Sequence, residues 1–209
     1  MLSSKLSTQE LFSLIHAKNL WSGTESVSGP GSTIEATDKI RDVIPGLLKQ
    51  LKINSFLDLP CGDFNWMKHI NLSNINYIGA DIVPELIDEN IQRYAAEKRR
   101  FLKLDIVTDQ LPKTDIVFSR DCFVHLSNKD IKEALKNIKN SGATYLLTTN
   151  FTNHQTNEER SKEYWRPINL EKPPFNLPPP ILIINEGYQE PQYEDKSLTL
   201  WKINELNGY

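Results

Sequence analysis

Three aspartates are spaced in a way that suggests chemistry: Asp58, Asp81 and Asp105 stand 23 and 24 residues apart. Each ends or closely follows a short apolar run, Ser55-Phe-Leu, Tyr77-Ile-Gly-Ala and Phe101-Leu-Lys-Leu. Each therefore falls at or near the C-terminal end of a strand, the edge across which open α/β sheets bind ligands. Three carboxylates there suit a ligand offering an amine, a vicinal diol and an exocyclic amine. The loop Asp58-Leu-Pro-Cys-Gly-Asp-Phe supplies Gly62 for close backbone approach. It has neither the G-x-G-x-x-G spacing nor G-K-[ST], so it is not a phosphate cradle. A second group follows the fourth apolar run, where Asp121 and His125 stand four residues apart. On a helix they would share a face, with the carboxylate orienting an imidazole that acts as general base. A packed histidine and a helix-start acid are the competing readings. Arg120 suits either a bound ligand or an acidic acceptor, or else a surface salt bridge.

These residues need a frame. Residues 7–18 carry Leu11, Leu14 and Ile15 at helical spacing. The Gly/Ser-rich stretch 21–32 reads as an ordered or closing loop. Thr37 is placed to cap a helix reaching Leu51, with Ile40, Val43, Ile44 and Leu47 on one face. Five apolar segments then alternate with helices, at 55–59, 77–82, 101–106, 115–119 and 143–149. One helix opens on Pro84, and another is capped by Ser127 with Asp130 three residues on. This alternation predicts a doubly wound parallel sheet. Residues 152–180 hold six of the twelve prolines and no helical pattern. The last two strands, 181–185 and 197–203, are joined closely enough to form an antiparallel hairpin. The expected fold is α/β and Rossmann-like: a mostly parallel seven-stranded sheet with a C-terminal antiparallel hairpin. The 209 residues read as one domain. Its parts are an N-terminal helix and lid (1–36), a ligand-binding core (37–150), an acceptor loop (151–180) and the hairpin (181–209).

Composition removes other classes. Net charge is −3, from 24 basic and 27 acidic residues, so no polyanion is drawn to the whole surface. The run Lys98-Arg99-Arg100 is too short for a nucleic-acid footprint. No stretch approaches the roughly 18 apolar residues of a membrane span, and the start has no signal-peptide core. Cys61 and Cys122 form no Cys-x-x-Cys pair and read as buried free thiols in the cytoplasm. No spacing demands a metal, although Asp63, Asp121 and Glu186 are the acids that would be asked to hold one.

The ordered acids resemble the class I S-adenosylmethionine (SAM)-dependent methyltransferases over about residues 37–150. Asp58-Leu-Pro-Cys-Gly resembles their first motif, which curves around the methionine moiety and here includes Pro60, Cys61 and Gly62. Pro60 replaces the usual first glycine and Phe64 the third. Asp81-Ile82 resembles the second motif, whose acid holds the ribose hydroxyls, and Asp105-Ile106 the third, which contacts adenine. The segment 115–127 resembles the fourth. The wording around 58–67, 119–126 and 165–176 is similar to methyltransferase domains found beside glycosyltransferases in glycan-building systems.

The resemblance implies SAM as cofactor and O-methylation, with a sugar or glycan hydroxyl as acceptor. Asp121 and His125 then serve catalysis, and Arg120 contacts the cofactor. Trp21 with Gly29, Pro30 and Gly31 lies across the cofactor as a lid. Trp165 offers a ring face and Arg166 donors to a sugar, with Asn150 facing the same edge. The alternatives are a small-metabolite or amine methyltransferase, and an inactive cofactor-binding partner subunit.

Overall fold

The computed structural model describes residues 6–159, 165–206 and 208. The chain divides into two compact units, residues 1–105 and 106–209. In the first unit, α1 (Thr8–Ala17) opens on a capping box. The Ser7 side chain accepts from the Glu10 amide, and the Ser7 amide donates to Glu10. Helix α2 (Asp38–Gln50) buries Ile40, Ile44, Leu47 and Leu48. Val43 stays exposed, so the apolar face is narrower than the sequence suggests. Thr37 precedes α2 without capping it. Its hydroxyl donates backward to the carbonyls of Thr33 and Ile34, because the chain enters α2 through a 3₁₀ turn that offers those acceptors first.

Strands β1 (Ser55–Asp58), β2 (Asn76–Asp81) and β3 (Arg99–Lys103) pair in parallel around α3 (Pro84–Tyr94). β3 begins two residues earlier than its apolar run, since Arg99 and Arg100 continue the register against Tyr77 and Ile78. Phe64 stands at φ 57°, where a side chain costs roughly 1–2 kcal/mol and glycine costs little. Its ring offsets that by meeting Tyr77, Tyr94 and Phe101 at 5.2–5.3 Å. Phenylalanine in place of the motif's third glycine is thus a packing residue.

In the second unit, β4 (Ile116–Ser119) and β5 (Tyr145–Phe151) are parallel, joined through α4 (Asn128–Asn140). Ser127 caps α4 by accepting from the Asp130 amide, as its spacing predicts. β6 (Leu182–Asn185) and β7 (Lys196–Lys202) form the antiparallel hairpin, and β7 also pairs antiparallel with β5. The seven strands lie in the order β3-β2-β1-β4-β5-β7-β6, a Rossmann-like mixed sheet with β6 at one edge. Between β5 and β6 the described chain forms no helix, and asparagines hold it instead. Asn157 Nδ2 donates to the carbonyls of Asn169 and Pro173, and Asn169 Nδ2 donates to that of His154. No helix among the described residues is long and apolar enough to cross a membrane.

Candidate active site

The first unit gathers two buried carboxylates at adjacent strand ends. Asp58 closes β1 and accepts from the Tyr77 hydroxyl at 2.5 Å. Burial and the Asp58 charge push the Tyr77 phenol well up, so it remains a donor. Asp81 closes β2 and accepts from the amides of Gly62 at 3.1 Å and Val83 at 3.0 Å. Burial raises its carboxyl to about 6, against the pull of those amides and that of Ile82. Gly62 can point its amide there because it takes φ 54°. The turn is braced by Asn90, which donates to the Gly62 carbonyl at 2.7 Å, and by the Cys61 amide on Ala80 O. Pro60 follows a cis peptide bond. Burial, Asp81 and Asp58 push the Cys61 thiol well above its ordinary range, so it stays protonated. Ile82 and Asp105 are half-buried, Asp105 standing two residues beyond β3. Ile106 is buried, and its carbonyl accepts from Asn137.

The expected lid lies folded against this turn. Trp21 packs on Phe12 at 6.2 Å and over Gly29, where a Cβ would meet its ring at 3.6 Å. Gly29 takes φ 93°, while Gly31 lies in the short 3₁₀ turn Pro30–Ser32. Sequence reasoning missed what fastens the segment. Asp63 accepts from the hydroxyls of Ser26 and Ser28 and from the Val27 amide, and its own amide donates to Ser28 Oγ. A Cβ on Gly62 would lie 2.2 Å from Ser28 Oγ, so only glycine admits this contact. Asp63 is therefore a loop clamp.

The second unit carries a different electrostatic construction at the end of β4. Asp121 is not on a helix: it takes φ 54°, with a 3₁₀ turn Phe123–His125 following. The cause lies in its partners. Its amide donates to Thr149 Oγ1 at 2.8 Å, and its carboxylate takes Lys196 Nζ at 2.7 Å with Arg120 Nη1 at 3.4 Å. Burial alone would raise the Asp121 carboxyl, but Lys196 and Arg120 outweigh it and hold the group at about 2. His125 is half-buried one turn on, near enough for its charge to be felt at Asp121.

Arg120 is buried, not a surface residue. It sends Nε and Nη2 to Glu186 Oε2 at 3.0 and 2.6 Å, and Glu186 and Asp121 hold it charged against burial. Asn150 Oδ1 accepts from the Leu170 amide, while Asn150 Nδ2 and Glu186 Oε1 are buried without a hydrogen-bond partner among the described residues. Trp165 is half-buried and meets Phe151 and Tyr193 edge to face. Arg166 departs from the expected role. It is buried and spends its donors on Glu158 O, Leu126 O and Asn128 Oδ1, pinning the loop. Lys196 was invisible as a partner of Asp121 because 75 residues separate them.

Residues 57–142 match a family model described as a methyltransferase domain. No curated protein matches the chain. Among solved structures it is similar to an S-adenosylmethionine-dependent methyltransferase from Clostridium acetobutylicum ATCC 824, at 14% identity and TM-score 0.61, over 82% of this chain and 95% of that one. It is also similar to magnesium protoporphyrin IX methyltransferase from Synechocystis PCC 6803 with bound SAM, at 10% identity and TM-score 0.60, over 94% and 97%. Human N-acetylserotonin methyltransferase in complex with SAM matches at 14% identity and TM-score 0.56, over 94% of this chain and 60% of that one. At such identities the likeness is one of fold. Fold and domain match agree: the strand order is that of Rossmann-like methyltransferases, and residues 57–142 match the methyltransferase domain. The chain is a SAM-dependent methyltransferase, with SAM as its cofactor.

Proposed function

We propose that this methyltransferase acts on a hydroxyl of a sugar or glycan. The observation that supports the acceptor class is a row of rings in the second unit. Phe151, Trp165, Tyr193 and Tyr188 meet edge to face at 5.8, 5.5 and 6.0 Å, the last three half-buried. The row ends at Lys196, whose ammonium lies 4.8 Å from the Tyr188 ring centroid and bonds the ionised Asp121. Apolar ring faces beside a carboxylate and phenol hydroxyls suit the C–H face and hydroxyl rim of a sugar.

On the donor side, the residues of the first unit fit SAM. Gly62 turns the chain in a left-handed conformation that aims its amide at Asp81, and Asp81 is a buried carboxylate whose charged form gains from hydroxyl donors. In this reading Asp81 holds the ribose diol, with Ile82 beside it. Asp58, Pro60, Cys61 and Gly62 border the methionine moiety, and Asp105 and Ile106 the adenine. Trp21, Gly29 and Gly31 belong to the covering segment. SAM, when bound, supplies a sulfonium-activated methyl group. Transfer is an in-line displacement, so orientation contributes most. His125 takes the hydroxyl proton as the oxygen attacks, and the fixed charge of Asp121 stabilises the resulting imidazolium. Asn150 and Trp165 border the acceptor. The reading implies a cytoplasmic reaction and association with glycosyltransferase domains.

Product formation across glycans, small alcohols and amines tests it, with calorimetry on SAM alone as the control. Methylation of amines alone would replace the sugar reading. SAM binding with no product on any acceptor would make the chain a cofactor-binding subunit.

A further inference from the structure

The β6–β7 hairpin delivers two buried charges that proton transfer to His125 does not itself use. Glu186 directly follows β6 and Lys196 opens β7, and the Glu186 amide donates to the Lys196 carbonyl at 3.0 Å. Their side chains are 0% and 7% exposed. Glu186 Oε2 takes both Nε and Nη2 of Arg120, with Lys196 Nζ at 3.7 Å. Lys196 in turn donates to Asp121 Oδ2. Two cations and two anions balance here, and burying such a set carries a desolvation cost that apolar side chains of equal volume avoid. Stability is thus a poor reason for the arrangement. What the ions do supply is a carboxylate fixed in charge and direction. Asp121 is met by Arg120 from the end of β4, Thr149 from β5, Lys196 from β7 and the charge of His125 from the adjoining turn. Glu186 and Tyr188 bear on it through Lys196.

We propose that Lys196 and Glu186 are positioning residues for methyl transfer: Lys196 keeps Asp121 an oriented anion beside the His125 turn, and Glu186 keeps Arg120 and Lys196 on Asp121. The inference rests on His125 being the base.

Its test has one arm without substrate. Carbon-13 NMR titration of the Asp121 carboxyl should show its midpoint raised by at least about one pH unit in Lys196→Met, a tenfold change in protonation. Lys196→Arg should restore it. With an acceptor, Lys196→Met should lower kcat roughly ten- to a hundredfold at unchanged SAM affinity, within the range of a lost proton-transfer partner. Lys196→Arg should recover most of it, and Glu186→Gln should lose less than Lys196→Met. Combined with Asp121→Asn, Lys196→Met should cost nothing more. An unmoved Asp121 titration in folded Lys196→Met, or losses that multiply in the double variant, overturns the proposal. Should Lys196→Met not fold, Glu186→Gln, which keeps the shape, is titrated and judged the same way. A shifted titration together with normal turnover in His125→Ala would leave the hold on Asp121 standing and remove His125 as base.

Discussion

Asp81 and Asp121 are the same side chain at the end of a parallel strand, and the protein drives them in opposite directions. Asp81 is buried with backbone amides as its bonded partners and only a weak pull from the His16 charge, and its carboxyl rises to about 6. Asp121 is half-buried against an ammonium and a guanidinium, and falls to about 2. Desolvation is the same in kind at both; what decides the sign is whether a full opposite charge answers it. The consequences for folding are also opposite. Asp81 binds its proton more tightly when folded, so its contribution weakens as pH rises from 3.8 to about 6, by about 3 kcal/mol. Asp121 contributes about 2 kcal/mol above pH 3.8, lost as pH falls toward 2. A carboxylate left short of partners is ready for ligand hydroxyls, whereas one saturated by cations serves as a fixed charge and a poor base.

The contrast is broken most directly at His125, the base proposed beside Asp121. His125→Ala should lower turnover at least about a hundredfold, with SAM affinity unchanged by calorimetry. Near-normal turnover would leave the imidazole as packing. At the other pole, Asp81→Ala should weaken SAM binding about ten- to a hundredfold through lost charge-assisted hydrogen bonds. The ionised carboxylate is the form that accepts them, so wild-type affinity should fall as pH drops through about 6. A pH-independent affinity in the wild type would separate Asp81 from the ribose. Asp121→Asn should reduce turnover only about tenfold, since the imidazole remains. Its stability deficit against the wild type, read by urea denaturation, should shrink below pH 3.8 as the wild-type carboxylate takes up its proton. The smallest effect belongs to the clamped segment. SAM should further protect amides of residues 21–34 from hydrogen exchange, and Asp63→Ala should loosen them by about 1–2 kcal/mol. Equal exchange with and without SAM would make the segment a plain linker.

Much of the frame was legible because it rests on local signals. Apolar runs ending in aspartate gave β1 and β2, Ser127 and Asp130 gave the start of α4, and close spacing gave the terminal hairpin. What the sequence hid depends on distant partners. Asp121 and His125 have helical spacing, yet Thr149 and Lys196, 28 and 75 residues on, pull Asp121 into a left-handed turn. Arg166 looks like a free donor until the carbonyls of Glu158 and Leu126 claim it. Thr37 has a cap's position, but a preceding 3₁₀ turn presents nearer acceptors. Asp63 showed only as an acid, because the serines that it fastens are 35 and 37 residues upstream.

The outermost strand bears on how the purified protein behaves at high concentration. Among the described residues β6 pairs only with β7, and Ile181, Leu182 and Ile183 around it are 46%, 38% and 50% exposed. No lysine or glutamate interrupts 181–185; Pro178, Pro179 and Pro180 guard one end alone. Such an edge is a template for strand addition by any extended apolar chain, including an unfolded copy of itself. Ile183→Lys places a gatekeeper charge in the middle of that edge.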